Sequence, residues 1–109
     1  MSDAILASRL RERITFEQPD RTEDEYGGGE VVWTEVVTVY ASVQPIMGTA
    51  REITRAEQVA GLAGYRITVR RRDDVHAGMR IQWRARSLKI HSLHDGDITL
   101  EILAYEEMA

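Results

Sequence analysis

Residues 65–71 read Tyr-Arg-Ile-Thr-Val-Arg-Arg, and this stretch decides the fold. Tyr65, Ile67 and Val69 fall on one side and Arg66, Thr68 and Arg70 on the other. That is the period of two of a strand with one buried face and one wet face. Downstream the alternation recurs. Met79, Ile81 and Trp83 mark a strand over residues 79–84, residues 88–93 form another, and Ile98, Leu100, Ile102 and Ala104 mark the last. Asp95-Gly96 suits a type I′ hairpin turn, whose two central residues take positive φ. Upstream, Leu10, Ile14 and Phe16 share one face of a strand at residues 10–17. Residues 31–45 read as one long strand or two joined at a bulge, because Val36 beside Val37 breaks the alternation. Pro45 ends it, having no N–H for a ladder. Short alternating strands with regular turn signals indicate an all-β fold, a small barrel of about six to seven antiparallel strands.

One stretch departs from this period. MGTAREITRAEQVAGLAG, residues 47–64, is inserted between two strands and has a helical pattern. Thr49 and Glu52 make a capping box, in which each side chain can satisfy the other residue's N–H. Ile53, Ala56, Ala60 and Ala63 recur at spacings of three and four, and Gly61 and Gly64 supply a helix end. The apolar stripe is mostly alanine, while Arg51, Glu52, Arg55, Glu57 and Gln58 keep the other faces wet. Burying alanines stabilises little, so this helix needs a partner surface. Two readings stand side by side: a helix lying across one end of the barrel, and a mobile segment projecting from it.

The 109 residues suit a single domain with one core. Residues 1–8 carry Ile5 and Leu6 but no sustained pattern and read as a flexible arm. Residues 18–30 are polar, with Pro19 and the triplet Gly27-Gly28-Gly29, and read as a long hairpin loop. The triplet lacks the Lys-Ser/Thr of a phosphate-binding loop and is flanked by acids that repel phosphate. No apolar run approaches the ~20 residues that span a bilayer, and the opening residues are too polar for a signal peptide, so no membrane partner is expected. With no cysteine there are no disulfides or thiolate metal sites.

The net charge of −4 hides a split. From residue 17 to 35 stand Glu17, Asp20, Glu23, Asp24, Glu25, Glu30 and Glu35 against the single base Arg21. From residue 66 to 89 stand Arg66, Arg70, Arg71, Arg72, Arg80, Arg84, Arg86 and Lys89 against Asp73 and Asp74. Opposite-signed regions on one small domain suit head-to-tail contacts between identical subunits, which close into rings when the rotation permits. Asp24, Glu25 and Tyr26 on one side, and Arg66, Arg70, Arg72, Arg80 and Arg84 on the other, are the interface candidates.

Catalytic chemistry finds no constellation. His91 and His94, with Asp95 and Asp97 nearby, are the one histidine cluster, but strand alternation sends the two rings to opposite faces and His76 lies in another loop. No serine sits in a nucleophile elbow. The reading is therefore no enzyme, with no catalytic, cofactor-binding or metal-binding residue and no cofactor. A single-stranded nucleic-acid-binding barrel of the OB type is the rival, since arginine-bearing strands lie near Tyr65 and Trp83. Periodicity, however, puts both rings on the apolar faces, away from the arginines.

Read together, Leu10-Arg11-Glu12-Arg13-Ile14-Thr15-Phe16, then Asp24-Glu25-Tyr26-Gly27-Gly28 before Trp33, then Tyr40-Ala41-Ser42-Val43-Gln44-Pro45, resemble the first half of tailed-phage head–tail joining proteins, also called head-closure or stopper proteins. Arg66-Ile67-Thr68-Val69-Arg70, Gly78-Met79-Arg80-Ile81 and Leu88-Lys89-Ile90 continue the resemblance, which runs from about Leu10 to Tyr105. Tyr40 stands where many relatives carry Trp. The resemblance implies a ring, sixfold or twelvefold, assembled in the bacterial host cytoplasm into the neck of a phage or gene transfer agent particle. Its partners would be the portal–adaptor complex and the tail proteins. Double-stranded DNA would pass through the lumen without sequence-specific binding. By the same resemblance the segment between the second and third main strands closes the channel after packaging. Here that is residues 47–64, with Met47, Thr49, Arg51, Glu52, Arg55, Glu57, Gln58 and Gly61 facing the channel or forming the gate. A tail-completion or tail-terminator role is the alternative within the same neck.

Overall fold

A computed structural model describes residues 3–23, 29–46 and 64–106. A short helix, α1 (Asp3–Arg9), precedes six strands: β1 (Glu12–Glu23), β2 (Gly29–Pro45), β3 (Gly64–Arg70), β4 (Arg80–Trp83), β5 (Arg86–Asp95) and β6 (Thr99–Glu106). All pairings are antiparallel, and the strands close on themselves in the order β1-β2-β3-β6-β5-β4. Closure rests on a narrow seam, Thr15↔Gln82, Phe16↔Ile81 and Glu17↔Arg80.

The alternation that predicts strands also predicts the core. Ile14 and Phe16 of β1, Tyr65, Ile67 and Val69 of β3, and Leu100, Ile102 and Ala104 of β6 all point inward. Met79, Ile81, Trp83, Leu88 and Ile90 complete the interior, and Val37, Val39 and Val43 pack against it half-buried. Phe16 is fully buried; burying a side chain of that size stabilises by roughly 1.5–3 kcal/mol. Ile98 is the exception to the pattern. It lies 40% exposed, just before β6, so the last inward run begins at Leu100.

The bulge lies where the sequence places it. Phe16 pairs with Val37 but Glu17 pairs with Glu35, leaving Val36 as the extra residue. One extra residue reverses the phase of every side chain beyond it. Odd-numbered residues of β2 point inward from Val37 to Val43. Past the bulge, Trp33 and Glu35 instead share a face with Glu17 and Pro19, the outer side. That reversal sets Trp33 beside the outward-pointing Arg80, whose guanidinium lies 4.3 Å from the ring centroid.

Three segments correct the sequence reading. The arm expected at residues 1–8 is helical from Asp3 to Arg9, and Leu6 is fully buried. Seven residues are too few to hold a helix alone, so Leu6 against the barrel is what sustains it. The long loop expected at residues 18–30 is largely ladder: Gln18↔Thr34 through Glu23↔Gly29 stay paired, bounding the turn to residues 24–28. Finally, the hairpin joining β5 to β6 does not centre on Asp95-Gly96. Gly96 N–H donates to Thr99 O at 2.8 Å, with Asp97 and Ile98 between them. Neither has positive φ, so the turn is not type I′. A Cβ at Gly96 would stand 3.0 Å from Thr99 Oγ1, which accounts for the glycine. Positive φ falls instead on Arg84 and Ala85, between the paired Trp83 and Arg86, the conformation of a type I′ turn.

Candidate interaction surfaces

Two stretches of the chain are candidates for contact with partners. The first is the insertion after β2. Pro45 pairs with Tyr65, and Ile46 N–H donates to Gly64 O at 3.0 Å. The two ends that residues 47–63 connect are therefore held together by hydrogen-bonded pairing. Met47, Thr49, Arg51, Glu52, Arg55, Glu57, Gln58 and Gly61 lie outside the described residues.

The second is the β1–β2 ribbon. β4 reaches β1 only as far as Glu17, and β3 reaches β2 only at Ser42–Pro45. From Gln18 to Glu23, with Gly29 to Thr34 opposite, two strands run on with no third strand on either side among the described residues. Val31 and Val32 are about half exposed there. Thr34 Oγ1 donates to Asp20 Oδ2 at 2.5 Å across this ribbon. Of the interface candidates on the acidic side, Asp24, Glu25 and Tyr26 lie outside the described residues.

The basic candidates are held within the chain. Arg66 on β3 meets Glu101 on β6 at 3.3 Å, and Arg80 donates to Glu17 at 2.7 Å. Arg84 pairs with Glu12 and lies 5.1 Å from the Trp83 ring centroid. Arg72 grips Asp74 with two hydrogen bonds of 2.9 and 3.0 Å. These bonds raise the Arg72 pKa and lower that of Asp74; burial opposes them and charge attraction adds to them. Arg70 is engaged as well. Sequence reasoning missed these carboxylate partners because most sit on other strands, as far as 72 residues away in the chain.

Between β2 and β3 the barrel opens into a groove. Pairing stops at Ser42↔Thr68, so Val39 and Tyr40 part from Arg70, and α1 backs the gap. Ala7, Leu10, Val39, Tyr40, Arg70 and Arg72 line a volume of about 290 Å³. Tyr40 is 59% exposed. Small-molecule sites run from about 300 Å³ upward, so this space suits one or two side chains better than a cofactor.

The rings that a single-strand-binding barrel would offer are not on the surface. Tyr65 and Trp83 are buried edge-to-face, centroids 5.3 Å apart, and Arg86 Nη1 donates to the Tyr65 hydroxyl at 3.3 Å. The Trp83 indole N–H is buried with no hydrogen-bond partner among the described residues. His91, His94 and His76 are each exposed, and no group of three metal-ligating side chains occurs among the described residues. No helix among them is long and apolar enough to cross a membrane.

Comparison with known proteins adds a family. Residues 5–107 match the profile described as phage head completion protein. The solution structure of protein SF1141 from Shigella flexneri 2a has the same fold, with a TM-score of 0.70 and 33% identity over 90% of this chain and 93% of that one. A chain in the virion of a native gene transfer agent particle superposes with a TM-score of 0.64 and 25% identity, over 93% of this chain and 98% of that one. No curated protein matches the chain.

Proposed function

The chain belongs to the phage head completion protein family, and on that premise we propose that it forms a ring in the neck of a phage or gene transfer agent particle. It is a head–tail structural component; the ring and what the ring does are our reading. The ring sits between portal–adaptor complex and tail, continues the DNA channel, and closes it with residues 47–63 until the tail attaches.

The observation that carries this is the insertion point. An excursion that begins and ends on one hydrogen-bonded pair, Ile46 to Gly64, can swing without altering a barrel pairing. Local rearrangement of this kind is what a gate requires. The sequence of the insertion fits as well, since a capped helix whose apolar stripe is mostly alanine would change state for little free energy. An acidic chain in which Arg66, Arg72, Arg80, Arg84 and Arg86 are paired with carboxylates also grips phosphate weakly, which favours DNA sliding past over binding.

The test is to mix the purified chain with DNA-filled, tailless particles bearing portal and adaptor. Co-sedimentation at a fixed stoichiometry together with nuclease protection of the DNA is the expected result. No binding to particles, with salt-sensitive binding to free DNA, would return the barrel to the nucleic-acid reading.

A further inference from the structure

We infer that the groove between β2 and β3 is a docking site for the acidic hairpin arm of a second copy of this chain. Beside the groove, β2 has β1 on one edge and, among the described residues, no strand on the other from Val31 to Ala41. Such an edge offers a row of unpaired N–H and C=O groups for an incoming extended segment. The other free edge of the ribbon, on β1, is interrupted by Pro19, which has no N–H to donate. The groove end of β2 therefore has a backbone template beside a lining that is apolar at Ala7, Leu10 and Val39 and polar or charged at Tyr40, Arg70 and Arg72.

Charge selects the occupant. Residues 18–34, which form the arm and its connection, have five acids to one base, and within them Tyr26, flanked by Asp24 and Glu25, offers a ring for the apolar lining. Arg72 spends two of its donors on Asp74; a guanidinium has about five, so donors remain for an incoming carboxylate. The exposed Arg71 adds charge beside it.

Geometry excludes the chain's own arm. From Tyr40 to Gly29 the strand runs about 36 Å at ~3.3 Å per residue, away from the groove. A paired ribbon cannot fold back over that distance, so only another copy can supply the arm. Arm on one side and groove on the other make the contact heterologous, and it repeats from subunit to subunit. This deepens the ring reading above but is scored without a particle.

The absence of cysteine makes the test clean. Tyr40→Cys and Glu25→Cys are prepared as separate variants, mixed at about 1 mM and oxidised, with Lys89→Cys replacing Tyr40→Cys as control. The mixed 40–25 disulfide should form at least tenfold faster than the 89–25, 40–40 and 25–25 products. Arg70→Glu with Arg72→Glu should abolish it, and adding Asp24→Lys with Glu25→Lys, read by sedimentation velocity, should restore association. Equal rates for all products, or no link at all, overturn the proposal. Particle binding is measured separately, so a failed link leaves the neck reading to its own test.

Discussion

Arg80 donates to Glu17 across 2.7 Å at the last rung of the three-residue seam that closes the barrel, and both side chains are mostly buried. The same guanidinium covers the outer face of Trp33. One cation thus ties β4 to β1 and anchors the root of the projecting ribbon.

Arg80→Met keeps the stem and removes both interactions. A hydrogen bond to a charged group contributes about 1.5–3 kcal/mol and a cation–π contact about 0.5–1 kcal/mol. A loss of about 2–3 kcal/mol in denaturant unfolding is expected, with the m-value unchanged. A loss below about 0.5 kcal/mol would mean that the seam does not depend on this pair.

Trp83 presents a different balance. Its ring fills the core against Tyr65, yet its N–H is buried without a partner among the described residues. An unsatisfied buried donor costs about 1–3 kcal/mol, so removing it offsets part of the lost packing. Trp83→Phe should cost less than about 1.5 kcal/mol, whereas Trp83→Ala should cost about 3–5 kcal/mol. Thermal unfolding of the two variants checks the ratio.

Replacing residues 49–61 with a short Gly/Ser linker should leave the barrel folded, because the flanking pair already holds the ends together. Its thermal midpoint should stay within a few degrees of the parent, while assembled tailless particles lose DNA to nuclease. Retained DNA protection would remove the gate assignment.

The Asp74 carboxyl is held below the usual carboxylate range by the Arg72 side-chain hydrogen bond. A depressed folded-state pKa contributes stability above the unfolded value, near 3.9, which is lost as pH falls through the lower folded value. Asp74 is 44% exposed, so solvent screening holds the pair to under about 1 kcal/mol. Asp74→Asn should therefore be slightly less stable than the parent at pH 7, and the two should converge as pH falls below about 4.

The inward residues of β3 and β6 were legible because each strand has one dry face and one wet face, and the buried sets fall on alternate residues. Val36 was legible for the same reason, as a break in a period. The ribbon beyond Glu17 was not. It buries almost nothing, so its pairing leaves no hydrophobic signature, and Pro19 with the glycines reads as loop. Leu6 shows the opposite difficulty: a helix of seven residues is too short to repeat, and one leucine sets no period. At the surface, arginines could be counted in the sequence, but whether each was free depended on register. Glu101 comes within reach of Arg66, as a diagonal neighbour on the same face, only because Thr68 pairs with that glutamate.

The pairing of Ile46 with Gly64, which holds the two ends of residues 47–63 together, also separates two kinds of selection. Closing a loop costs only about 0.6 kcal/mol more per doubling of its length. With its ends fixed at Ile46 and Gly64, the insertion behaves as a cassette that can lengthen, shorten or change charge while the barrel is inherited intact. Relatives serving particles of different bore could differ most in this stretch and still share every strand around it.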